Sequence, residues 1–453
     1  MATRLIESFA TTGSLSDLFS DSSILQALLD FEIALARVEA RLGVIPKSAA
    51  EAIAAAAKVE ALDTAALAHA AQRAGTFGIP IAKALTEKVR ARDPEAARFV
   101  HWGATSQDVS DTALVLLFKR ARSLLDSDLA RLEAALRRLA EQHADTVMLG
   151  RTLLQAAPPV TFGLKAGGWL GALQRDRSRL DAAFSDARVV QFGGASGTLA
   201  SLGEKGPSVA QELAKELQLG CPEAPWHTHR DRLAAVVCAC GVLIGSLGKM
   251  ARDVSLLMQG EIAEVSEPGG DARGGSSTMP QKRNPVGCAL TLAAANRVPG
   301  LVAAFLAGMV QEHERAVGGW QAEWPTIAGV LQSTGLAIAS MAEVAEGLGV
   351  DAKRMRSNIE ATEGTVFAEK AMMLLGSRLG RDVAHKLLEE ASRRSLSEHR
   401  RLSEVLGDMP EIKNHLDRAT LEQLENPEQY LGAAERFRTS LLASKKNTRG
   451  KKE

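Results

Sequence analysis

The residues best equipped for chemistry sit in a glycine-rich segment, PGGDARGGSSTMPQKRNP, running from Pro268 to Pro285. It brings two adjacent hydroxyls (Ser276 and Ser277), a cation pair (Lys282 and Arg283) and an amide (Asn284) close together in the chain. Hydroxyls, a lysine and an amide can grip an anionic group and move a proton beside it. A loop of this length in a compact domain is usually functional. Its spacing is not that of a phosphate-binding P-loop, and no strand is expected before it.

Other segments carry donors for an anion. HWGATSQD, from His101 to Asp108, places His101, Thr105 and Ser106 just ahead of a long helical stretch, and a helix N-terminus attracts negative charge. TSQD alone would also serve as a helix cap. GRTLLQAAPPVTFG, from Gly150, supplies Arg151 and Gln155, and His313 and Arg315 lie in a charged cluster at the end of an apolar helix. His227 and His229 have an H-x-H spacing, but zinc needs three or four ligands, and no carboxylate or cysteine follows at a known spacing. No metal is expected, and Arg230, Asp231 and Arg232 are expected to form ion pairs at a helix start. GASG at 194–197 reads as a turn, because no βαβ unit surrounds it.

GSSTMPQKRNP resembles the signature loop of the fumarase/aspartase superfamily, which includes adenylosuccinate lyase, argininosuccinate lyase, aspartase and fumarase. The resemblance implies that Ser276 is the catalytic serine, that Lys282 and Asn284, with Ser277, hold substrate, and that the loop closes over it. HWGATSQD resembles the superfamily's first shared region, which implies a carboxylate held by Thr105 and Ser106, with His101 in the site. GRTLLQ resembles the second region, which in the lyases usually reads G-R-T-H-L-Q. Arg151 and Gln155 remain, but Leu153 stands in the place of the histidine.

That departure bears on the reaction. Lyases expel poor leaving groups that benefit from a positioned acid. A lactonising enzyme uses the substrate's own carboxylate as nucleophile, and with a reference pKa near ~4 that group is already ionised at neutral pH. Loss of the histidine therefore disfavours a lyase more than a lactonase. The stretches LLDFEIALARVEARLG, VVQFGGASGTLASLG, PWHTHRDRL, SLLMQGEIAEV and QEHERAVGGWQAEW resemble, in order and spacing, the bacterial carboxymuconate cycloisomerases within the superfamily. This implies lactonisation of a small tricarboxylate in aromatic degradation, with no cofactor, in a homotetramer whose active sites are composite. His313 and Arg315 are then further substrate-binding residues. An adenylosuccinate-type lyase, a sulfonated muconate as substrate and a catalytically silent structural protein on the same fold are the alternatives.

The elements that must position these residues are helices. No glycine or proline occurs between Ala104 and Leu149, and apolar residues recur at Leu114, Leu117, Phe118, Ala121, Leu124, Leu125, Leu129, Leu132, Leu136 and Leu139. That spacing predicts a rod of ~50 Å at 1.5 Å per residue. Further long helices are expected near 159–190, 230–265, 286–315 and 324–348. Glycines at 163, 167 and 171, and at 241, 245 and 248, would let helix backbones approach closely. The expected class is all-α, fumarase/aspartase-like: a helical region 1–110, a long-helix bundle 111–350 carrying the loop 268–285, and a helical region 351–453 with a basic tail. Five long apolar helices are hard to cover within one chain, so a shared bundle is expected.

Composition narrows the partners. Lys+Arg and Asp+Glu balance at 54 each, so no global field favours nucleic acid or an anionic membrane. The apolar stretches 233–248 and 324–342 read as core helices, the first too short for a bilayer and the second interrupted by polar residues and Pro325. Four cysteines form no disulfide framework, and the N-terminus lacks a signal-peptide apolar run. A cytoplasmic location is expected.

Overall fold

In a computed structural model the described residues are 5–270, 274–275, 278–279 and 282–443. Helix α1 (Asp21–Arg41) starts at Ser20, whose hydroxyl accepts the Ser23 N–H. Its inner face carries Leu25, Leu28, Phe31, Leu35 and Val38, and on the same stripe two acids, Glu32 and Glu39, are also buried. The glycine- and proline-free stretch becomes α2 (Ser106–Gln142), 37 residues long, with the apolar positions of the 114–139 series noted above buried except Leu124, which is half-buried.

After α2 the chain makes a hairpin, β1 (Val147–Thr152) paired antiparallel with β2 (Gln155–Thr161). The long helices α3 (Phe162–Ala187) and α4 (Asp231–Leu257) follow, then a two-residue strand β3 (Val265–Ser266) directly ahead of the glycine-rich loop. That strand corrects the sequence expectation of none; two residues are too few to leave an alternating pattern. Next come α5 (Val286–Ala307) and α6 (Gly319–Glu346), then β4 (Gly349–Val350), which pairs with β3, and α7 (Ala352–Glu360). Shorter helices fill both flanks, including α8 (Ala368–Leu379) and α9 (Arg381–Glu398). The architecture is all-α, as expected.

The chain gathers into two compact units, one of Met1–Ala130, Arg175–Gly248 and Leu290–Ser340, the other of Arg131–Gln174, Lys249–Ala289 and Met341–Glu453. In the first, Phe31 packs on Phe192 and Phe118 on Phe184, with ring centroids 6.4 and 5.9 Å apart. Of the three glycines of α4, Gly241 and Gly248 allow the close approach that their spacing implied, and a methyl group on Gly245 would meet nothing within 4 Å among the described residues. A methyl group on Gly241 would lie 3.0 Å from the Val302 side chain, and one on Gly248 2.9 Å from the Ala295 methyl, so side chains of α5 pack directly onto these two glycines of α4. In the second unit, Val147 and Leu149 of the hairpin join Ile359, Phe367, Leu375, Leu388 and other apolar residues of the C-terminal helices in one core.

By length and composition α4, α5 and α6 could each cross a membrane. Inside the chain, 61% of the apolar window of α4 and 72% of that of α6 is buried, as their reading as core helices requires. For α5 the figure is 22%.

Candidate active site

The first unit holds His101, Thr105, Ser106, His313 and Arg315. Asp108, in the first turn of α2, is the hub. Its buried carboxylate accepts the Thr105 N–H at 3.0 Å, closing the cap of α2. It also accepts the N–H groups of Gly193 and Gly194 at 3.0 and 2.9 Å, and pairs with His227 Nε2 at 2.7 Å. Arg315 donates to Thr105 Oγ1 at 2.7 Å and to the carbonyls of Gly194 and Ala195 at 3.3 and 2.9 Å. Thr228 Oγ1 donates to the His313 carbonyl at 3.0 Å. Four segments far apart in sequence are thereby tied around the start of one helix, where a substrate carboxylate would meet the positive end of the helix dipole.

A buried ion-pair network underlies this cluster. Arg230 donates to Asp111 at 2.7 and 3.0 Å and to Glu323 at 2.9 and 2.5 Å, and Trp320 Nε1 also donates to Asp111 at 2.9 Å. Burial works against the Arg230 charge, yet Asp111 and Glu323 hold its pKa above the ordinary value. Burial would raise the Asp111 carboxyl too, and the charge and hydrogen bonds of Arg230 keep it below the usual range. Arg230 therefore forms the ion pairs expected at the start of α4, and they lie in a buried network. Of its neighbours, Arg232 lies 3.7 Å from Asp186 and 3.6 Å from Glu223.

His101 stands apart from that hub. Its Nδ1 lies 2.7 Å from Oε1 of the buried Glu32. Its backbone is left-handed, with φ +60°, and so is that of His313, with φ +48°. Such conformations are uncommon outside glycine and cluster where a side chain must be aimed.

The second unit holds Arg151, Gln155, Lys282 and Asn284. Arg151 on β1 forms a two-pronged pair with the buried Glu264, at 3.1 and 2.8 Å, and Asn358 Nδ2 donates to the same carboxylate at 2.8 Å. Gln155 opens β2 and is exposed. Between the strands, Leu153 and Leu154 form a two-residue turn with φ +51° and +67°, and they are 97% and 75% exposed. Farther on, the Asn284 N–H donates to the Gly274 carbonyl at 2.9 Å and ties the two ends of the signature segment together. Gly274 has φ +65°, and a methyl group there would strike the Asn284 carbonyl at 2.7 Å. Lys282 is exposed, its N–H donated to the Met279 carbonyl. Glu267 accepts the N–H groups of Gly287 and Cys288 at 3.0 and 2.9 Å, capping α5. Ser276 and Ser277 lie outside the described residues.

A family described as Lyase matches residues 8–300, and one described as Adenylosuccinate lyase C-terminus matches residues 364–440. The chain belongs to the fumarase/aspartase lyase family. Among its relatives is a 3-carboxy-cis,cis-muconate cycloisomerase of Bradyrhizobium diazoefficiens, 50% identical over 424 residues, covering 94% of this chain and 94% of that protein. The protein of the same name from Pseudomonas aeruginosa is 49% identical over 442 residues, covering 98% and 96%. The crystal structure of 3-carboxy-cis,cis-muconate lactonizing enzyme from Pseudomonas putida superposes with a TM-score of 0.91 at 48% identity, covering 97% of this chain and 98% of that one.

Within this family member, sequence reasoning passed over Glu32, Glu264 and Glu267, and it treated Asp108 only as the end of a motif. Glu32 did leave a signal: an acid at helical spacing on an otherwise apolar stripe must find a partner or stay protonated.

Proposed function

We propose that this chain converts 3-carboxy-cis,cis-muconate into the corresponding γ-lactone, as a cycloisomerase of aromatic degradation. The observation that carries this reading is 49–50% identity, over nearly the full length of both chains, to proteins of that name. Leu153, in place of the lyase histidine, agrees with it.

In the proposed reaction one substrate carboxylate oxygen attacks a carbon of the conjugated diene. The negative charge passes onto the carboxylate conjugated with that double bond, giving an aci-carboxylate, and a proton reaches the adjacent carbon as the lactone closes. Ser276 handles that carbon-bound proton. Lys282 stabilises the doubly charged intermediate, commonly the largest contribution in such chemistry. Thr105 and Ser106, at the N-terminus of α2, hold a second carboxylate, and Asn284, Ser277, Gln155, Arg151, Arg315 and His313 are further substrate-binding residues. The reaction calls for no organic cofactor or metal.

The three regions 1–110, 111–350 and 351–453 serve in this reading as domains, and the working form is a cytoplasmic homotetramer with composite sites. Helix α5 supports the assembly. Val286, Ala289, Ala293, Gly300, Ala303 and Ala304 are exposed on a helix apolar enough to need cover.

An ultraviolet assay of chelator-treated protein tests the function. The diene absorbance of 3-carboxy-cis,cis-muconate should disappear, and adenylosuccinate should stay intact. The reverse pattern would favour the carbon–nitrogen lyase reading, to which the match of residues 364–440 gives some weight.

A further inference from the structure

We infer that Glu32 is the positioning residue for His101, fixing its ring so that Nε2 presents a proton to an anionic group of the substrate. The inference deepens the proposed function and rests on it for the identity of that anion.

The geometry comes first. Glu32 lies on the buried face of α1 with 1% of its side chain exposed, and His101 keeps 20%. A carboxylate can only accept, so the 2.7 Å contact with Nδ1 places a proton on that nitrogen. The remaining ring nitrogen, Nε2, is then either the bare acceptor of a neutral ring or the second donor of an imidazolium. The left-handed backbone at His101 holds the ring in this orientation at a cost in strain.

The surrounding charges choose between the two states. Burial alone would lower the His101 pKa, but the charge and hydrogen bond of Glu32, aided by Asp108, raise it above the ordinary value. Glu39, two turns farther along α1, adds no competing charge. It is fully buried, neither of its oxygens has a hydrogen-bond partner among the described residues, and burial together with the Glu32 charge pushes its carboxyl up to about 9. Glu39 thus keeps its proton at physiological pH, while Glu32 is the acid whose Oε1 contacts the ring. The raised His101 pKa favours the doubly protonated ring, whose second N–H is on Nε2, away from Glu32. In a lactonising site that N–H suits a carboxylate gaining negative charge, and it needs no base on its other side.

The test is Glu32→Gln, which keeps an acceptor oxygen and removes the charge. Nitrogen-15 spectra of histidine-labelled protein, with His101 assigned through His101→Gln, should show wild-type Nδ1 protonated throughout and titration above ~6.5. In Glu32→Gln the titration should fall by a unit or more. The basic limb of the kcat/KM profile for 3-carboxy-cis,cis-muconate should move to lower pH by the same amount, an approximately tenfold loss on that limb for each unit. Glu39→Gln should leave the His101 titration in place. A wild-type His101 that titrates below the ordinary value, or is neutral with its proton on Nε2, overturns the inference even if Glu32→Gln fails to fold. An unmoved titration in folded Glu32→Gln overturns it as well, and so does an equal shift in Glu39→Gln. The spectra do not depend on turnover, so an inactive protein with the expected titration would count against the proposed reaction and leave the pairing intact.

Discussion

Among the described residues, no cation lies beside the Glu39 carboxyl group to compensate for burial. With both oxygens buried and unpaired, the group stays protonated until about pH 9. An acid whose folded-state pKa is raised binds its proton more tightly folded than unfolded. Its stabilising effect is complete below the ordinary value of 4.5 and is lost as pH rises towards about 9. Glu39→Gln removes that dependence. Urea unfolding should show little pH-dependent gain for the variant near pH 4.5 and a widening advantage as pH climbs, reaching roughly 2–4 kcal/mol at the alkaline end. A constant difference across that range would mean that Glu39 is ionised in the folded chain. Glu32 sits on the same stripe, and His101 is what distinguishes it. The burial of both acids was legible, since each interrupts an apolar face at helical spacing. The pairing was not, because Glu32 and His101 are 69 positions apart and no local pattern links them.

At the scale of elements, the long helices followed from the absence of glycine and proline and from apolar spacing, but α4 and α5 stop at Leu257 and Ala307, short of the expected 265 and 315. The hairpin at 147–161 escaped notice for a physical reason. A two-residue turn with both residues left-handed normally announces itself as Asn-Gly, and here it is Leu153-Leu154. Pro158 and Pro159 in the second strand hide it further. Leucine in left-handed backbone costs about 1–2 kcal/mol per residue. A turn that keeps this strain and exposes two leucines is held for its side chains. The double substitution Leu153→Asn with Leu154→Gly is therefore expected to stabilise the fold by roughly 1–2 kcal/mol, after the chain-entropy cost of the added glycine, and to slow turnover. Unfolding at unchanged denaturant concentration would contradict the strain. The hub at Asp108 was similarly hidden, because its donors come from residues 193, 194 and 227.

For the molecule as a whole, the exposed face of α5 bears on assembly. Sedimentation of the wild type should give a tetramer, and Ala293→Glu, which puts a charge in the middle of that face, should yield smaller species. A wild type that stays monomeric at micromolar concentration would remove the case for shared sites. The central claim concerns the reaction itself, and the most direct measurement follows 3-carboxy-cis,cis-muconate with the enzyme in deuterium oxide by proton and carbon NMR. The account requires a γ-lactone carrying one carbon-bound deuterium next to the new carbon–oxygen bond. Recovery of unchanged muconate, from protein that releases fumarate from adenylosuccinate, would contradict it.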